Sequence, residues 1–175
     1  LARIRHQPTR HRNREPLVIS QLTGTIISVQ LDGVVIDVGG VGMRVLCTPS
    51  TSAAVKTGTK ATIVTSLVVR EDSLTLYGFS NEPERDMWLL VQTVSGIGPK
   101  VALAFSAVLS PDEASRALAE ADIATLTRVP GIGKKGAERL IVELKDKVLP
   151  AVDATSAKTG GARDHVRDAL VGLGW

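Results

Sequence analysis

The nonapeptide Val94-Ser95-Gly96-Ile97-Gly98-Pro99-Lys100-Val101-Ala102 recurs 35 positions later as Val129-Pro130-Gly131-Ile132-Gly133-Lys134-Lys135-Gly136-Ala137. Glycines at these places permit positive φ and remove Cβ atoms, so the backbone can come close to another surface. Successive N–H groups at such a turn, with the positive end of the helix that follows, form an anion site. A nucleic-acid phosphate suits it. Lys100, Lys134 and Lys135 add charge beside those amides, and Ile97 and Ile132 are expected to pack inward and stiffen the turns. The candidate DNA-backbone set is therefore Gly96, Ile97, Gly98, Lys100, Gly131, Ile132, Gly133, Lys134 and Lys135. Contacts of this kind position a duplex and carry no base sequence information.

In a plainer reading, each Gly-x-Gly only turns one helix into the next. Two copies with matching flanks favour binding, because two turns can clamp two phosphate tracts of a duplex. Each copy follows a helical segment and opens another, the helix-hairpin-helix pattern. Residues 131–136 also fit G-x-G-x-x-G, but a dinucleotide site needs a preceding strand and an acid ending the next strand. Here Pro130 and a helical segment precede, and the acids that follow lie in or near a helix. No G-x-x-x-x-G-K-[ST] is present, so no nucleotide-hydrolysing site is read.

Other chemistry finds little support. His6, His11 and His165 fall outside the two main folded regions, and Cys47 has no metal-ligand company. Asp112-Glu113 reads as charge matched to a helix start. Lys100 and Asp122 have no spacing that supports a repair active site. No catalytic residue, metal or cofactor is expected.

Two kinds of element must position the repeats. From Val18 to Gly78 five stretches rich in Val, Ile, Leu and Thr are separated by turn signals at Asp32-Gly33, Gly39-Gly40, Thr57-Gly58 and Glu71-Asp72-Ser73. Five short strands in about 60 residues suit a small barrel, with the OB-fold leading and an SH3-like barrel as the alternative. From Asn81 the pattern turns helical. Helix starts are expected at Glu82-Pro83-Glu84, at Ser110-Pro111-Asp112-Glu113 and after Asp122, with a longest helix over 134–148. The fold class is α+β multidomain: an OB-fold barrel over 17–79, then an all-α tandem helix-hairpin-helix domain over 80–149. Residues 150–163 read as a flexible linker. Residues 164–175 read as the start of a small third helical domain whose remainder is absent.

Charge is informative mainly by location. The net charge is +3, but residues 1–16 carry five arginines against one acid and have the look of a disordered basic leader or tag. Without them the chain has sixteen basic and seventeen acidic residues, so any DNA-binding charge must be concentrated on one face. A single cysteine excludes an intrachain disulfide and suits a reducing cytoplasm. No apolar run reaches the ~20 residues of a membrane span.

Together the barrel, the two hairpins, the linker and the third segment resemble the RuvA family. Val69-Arg70-Glu71-Asp72-Ser73-Leu74-Thr75-Leu76-Tyr77-Gly78-Phe79 is similar to that family's hairpin and barrel exit, and 129–140 to its second helix-hairpin-helix. The resemblance covers about Val18 to Leu149. It implies a non-catalytic subunit of an ATP-dependent branch-migration helicase complex, acting in recombination, DNA repair and the SOS response. A homotetramer, or an octamer of two, would hold a four-way (Holliday) junction open. Glu71 and Asp72 match the family's acidic pin near the fourfold centre, where negative charge repels phosphates. The implied protein partners are a hexameric RuvB ATPase, recruited through the third domain, and the RuvC resolvase.

Three other functions compete. A generic helix-hairpin-helix duplex-binding module of a repair enzyme would need a catalytic cluster near the hairpins. A single-strand-binding barrel would need exposed aromatics for base stacking, and aromatic content is 3%. A purely structural oligomer would show no salt-sensitive DNA binding.

Overall fold

Alternating β-branched residues fold into five strands: β1 Gln21–Gln30, β2 Gly33–Val38, β3 Val41–Cys47, β4 Lys60–Val69 and β5 Leu74–Phe79. The computed structural model describes residues 18–148. The leader, linker and third-domain segment expected at 1–16, 150–163 and 164–175 lie outside the described residues. The strands close into a barrel in the order β1-β2-β3-β5-β4. β1 makes closure possible by pairing with β4 through Gln21–Thr25 and with β2 through Thr25–Gln30. A Cβ on Gly24 would overlap the Asp37 carbonyl, so this crossing of β1 over β2 requires glycine. A bulge between Ile26 and Ser28 adds to the bend. β3 and β5 pair in parallel, which gives the OB-type order rather than an SH3-like barrel.

The barrel core is Leu22, Ile26, Val34, Ile36, Val45 and Ile63, with Cys47 and Leu76 beside them. Burial pushes the Cys47 thiol pKa upward, so the residue behaves as a small apolar group. A short helix not expected from the sequence, α1 Pro49–Ala53, follows β3. Thr48 caps it by accepting the Thr51 N–H at 3.2 Å.

Five further helices follow: α2 Glu82–Gln92, α3 Pro99–Val108, α4 Pro111–Ala119, α5 Ile123–Leu126 and α6 Lys134–Val148. Their starts are set locally. Asn81 Oδ1 accepts the Glu84 N–H at 2.9 Å. Ser110 and Glu113 form a reciprocal capping box, and Asp122 Oδ1 accepts the Thr125 N–H at 3.0 Å. Ala121, at φ 57°, is the single non-glycine positive-φ residue among those described, and it turns the chain between α4 and α5.

The two halves share a seam. Tyr77 and Phe79, the end of β5, bury into the helical core instead of the barrel interior. The Trp88 ring on α2 lies 5.0 Å from that of Tyr77 and 5.3 Å from that of Phe79, both tilted. Such pairs add roughly 0.5–1.5 kcal/mol each beyond their buried area. Barrel and helices are therefore packed into each other at the point where the chain passes between them.

Candidate nucleic-acid interface

The two glycine turns adopt one geometry. Gly96 and Gly131 have φ of 88° and 89°, a region that L side chains rarely occupy. In each turn the next residue's N–H closes back onto the valine carbonyl: Ile97 to Val94 at 3.1 Å, Ile132 to Val129 at 3.0 Å. The Ile132 side chain is buried and the Ile97 side chain packs half-buried against the same core. The isoleucines thus hold the turns, with both side chain and amide turned to that task.

The second glycine of each pair has a different reason to be glycine. Gly98 sits at φ −92° and ψ 174° as the N-cap of α3, with no side-chain capping bond. An added Cβ at Gly98 or Gly133 would meet nothing within 4 Å. Neither has positive φ. The fold itself would accept Ser or Asp there, and both are at least as good at an N-cap. What these positions provide is bare backbone facing outward.

The donors at each turn follow from helix geometry. The first amides of a helix have no intrahelical partner. In the first hairpin these belong to Lys100 and Val101, because Pro99 has no N–H. In the second, Lys134 replaces the proline, so Lys134, Lys135 and Gly136 all offer amides. Ala102 and Ala137 donate the first helical bonds, to Gly98 and Gly133, at 3.0 and 2.9 Å. Lys100, Lys134 and Lys135 are exposed, so amides, helix ends and ammonium groups share two small patches.

The hairpins also touch each other. A Cβ on Gly131 would stand 3.4 Å from Val101 Cγ2 of α3, and one on Gly96 would stand 3.6 Å from Arg139 Nη1 of α6. That same Nη1 donates to the Ser95 carbonyl at 2.8 Å. Between the turns lies a cleft of about 200 Å³, with Gly96, Gly131, Lys135 and Arg139 in its lining. Arg139 was not among the residues singled out from the sequence. Its one sequence signal is its place four residues after Lys135, on the same helix face.

Glu71 and Asp72 form the exposed tip of the β4–β5 hairpin. Arg70 N–H donates to Ser73 O at 2.8 Å, and Ser73 N–H donates back at 3.4 Å. Ser73 Oγ donates to Asp72 Oδ1 at 3.2 Å. Neither acid has positive φ, so the tip needs no glycine. A second cleft runs from beside the tip of this hairpin, at Leu74 and Thr75, to Lys100 of the first glycine turn, with Asp32 and Arg44, paired at 3.2 Å, in its lining. The acidic tip and the lysine-bearing first glycine turn therefore border one surface.

Tyr77, Phe79, Trp88 and Phe105 are all buried, so no described aromatic is open to stack a base. Asp122 is committed to capping α5, and the bonds from Thr125 hold its pKa below the ordinary carboxylate value. Among the described residues no His, Cys, Asp and Glu side chains cluster as a metal site. No described helix is long and apolar enough to cross a membrane.

Comparison with known proteins accounts for both halves. The RuvA N terminal domain family model matches residues 19–78, and the SAM-like helix-hairpin-helix tandem model matches residues 89–146. A Beutenbergia cavernae protein named Holliday junction branch migration complex subunit RuvA is 53% identical over 160 residues, covering 90% of this chain and 80% of its own. The proteins of that name from Mycolicibacterium smegmatis and Rhodococcus erythropolis are each 49% identical, covering 90% of this chain and 82% of their own. With identity at this level running through barrel and hairpins alike, the chain belongs to the RuvA family.

Proposed function

We propose that this protein binds four-way DNA junctions as the non-ATPase subunit of a branch-migration complex acting in recombination and repair. The observation that carries the reading is the pair Gly98 and Gly133. Neither has positive φ, and both have open space where a side chain would stand. Glycine there serves the close approach of something outside the chain, and the flanking amides and lysines make that partner a phosphate backbone. The acidic tip, bordering the same surface, supplies selectivity. Two carboxylates repel a continuous duplex laid across them and direct separated strands aside. The names of the relatives support the same reading.

The finer features are part of the proposal. The protein works as a homotetramer, with a second tetramer able to complete an octamer, so that four acidic tips meet at the junction centre. Its motor partner is a hexameric RuvB ATPase, and the RuvC resolvase acts on the same junction. It operates in the cytoplasm. Gel-shift titration of a four-way junction and a linear duplex of the same sequence, with excess competitor DNA, tests the core claim. Strong preference for the junction is expected. Equal weak binding to both would reduce the protein to a generic helix-hairpin-helix module of a repair enzyme.

A further inference from the structure

The two hairpins differ at one place in how their turns are stiffened. In the second, Pro130 precedes the positive-φ glycine, and its ring fixes φ at that position. In the first, the equivalent residue is Ser95, which has no such restriction. The first turn instead receives an external support: Arg139 Nη1, from the helix of the second hairpin, donates to the Ser95 carbonyl at 2.8 Å. The Ser95–Gly96 peptide is planar, so anchoring its oxygen fixes the direction of the Gly96 N–H, which lies in the same plane and points the opposite way. The same guanidinium lies 3.6 Å from where a Gly96 Cβ would be.

We infer that Arg139 is a positioning residue that does for the first hairpin what Pro130 does for the second, holding its amides in register with those of its neighbour. The inference rests on the hairpins being the DNA-backbone site. It adds that the two sites are not independent: the second hairpin's helix sets the geometry of the first. A ligand contacting both must find them at a fixed spacing, and Arg139 fixes it.

The test compares the full chain with Arg139→Met, Ser95→Pro and the double variant. Duplex affinity is measured by fluorescence anisotropy over a range of salt, with thermal melting to confirm folding. Arg139→Met is expected to weaken binding about tenfold, the scale of losing one charge-assisted hydrogen bond. Its salt dependence should stay that of the parent. Adding Ser95→Pro should restore affinity to within about threefold of the parent, because the ring supplies the missing restraint. No loss with Arg139→Met would overturn the inference. So would an unrescued loss with a salt slope lower by about one, which marks a direct phosphate contact.

A second measurement is independent of the proline. In the Arg139→Met background, Lys100→Ala should lose most of its effect, while Lys135→Ala keeps its own. Full additivity of Lys100→Ala would also refute positioning. If Lys100→Ala and Lys135→Ala are both silent in the parent chain, the underlying DNA-site reading fails instead.

Discussion

The indole Nε1 of Trp88 donates a hydrogen bond to the carbonyl oxygen of Pro99 at 3.1 Å. Pro99 opens α3, directly after the Gly96-Ile97-Gly98 turn. Because the same ring packs on Tyr77 and Phe79, one side chain joins the barrel exit, α2 and the first hairpin.

Trp88→Phe keeps an aromatic ring but loses the donor and part of the buried area. The expected destabilisation is about 1.5–3 kcal/mol. Denaturant melting of the full chain measures it, and an unmoved midpoint would contradict the seam described above.

The four turn glycines should separate into two classes. Gly96→Ala and Gly131→Ala force a side chain into positive φ and should cost about 1–2 kcal/mol of stability. Gly98→Ala and Gly133→Ala should leave stability within about 1 kcal/mol, yet weaken duplex binding about tenfold by holding the backbone away from a phosphate. Melting and anisotropy on the same four variants test both halves. Equal loss of stability in all four would mean that Gly98 and Gly133 serve only the fold.

Replacing Glu71 with Gln and Asp72 with Asn removes charge from an exposed turn, so stability should move by no more than about 0.5 kcal/mol. The ratio of junction to linear-duplex affinity should fall about threefold or more, through a gain on the linear duplex. An unchanged ratio in competition gel shifts would remove the tip from the selectivity argument.

Two capping carboxylates give the helical half an acid sensitivity of known sign. Glu113 is held below its ordinary pKa by its bonds with Ser110, and Asp122 by its bonds with Thr125. A group lowered in the folded state stabilises above its unfolded pKa, and that contribution is lost as pH falls through the folded value. Stability should therefore hold above about pH 5 and decline below about pH 4. Glu113→Gln, which can still complete a capping box, should flatten that decline. An identical acid profile in Glu113→Gln would assign the decline to other carboxylates.

What could be read from the sequence was the short-range part of the molecule. Ser110 and Glu113, three residues apart, announce their helix because both partners of the capping box are local. The two glycine turns are legible for the same reason: each is closed by a bond spanning three residues. The parallel pairing of β3 with β5 is not, since periodicity does not encode strand order. The five-residue α1 was hidden by its length, although Thr48 and Pro49 carried ordinary start signals. Arg139 reaching Ser95, 44 positions away, depends on how two helices pack and leaves no trace in spacing. The sequence separated barrel from helices after Phe79, yet that residue's side chain belongs to the helical core.

That placement has a mechanical consequence. β5 begins at Leu74, directly beyond the acidic tip, and ends at Phe79 in the seam with Trp88. The tip and the hairpins are thus linked by six residues of paired strand, a stiff strut roughly 20 Å long. On the proposed reading, a pull at the glycine turns reaches the tip through Trp88, the Phe79 seam and a strand in which every residue from Leu74 to Phe79 is paired with β4.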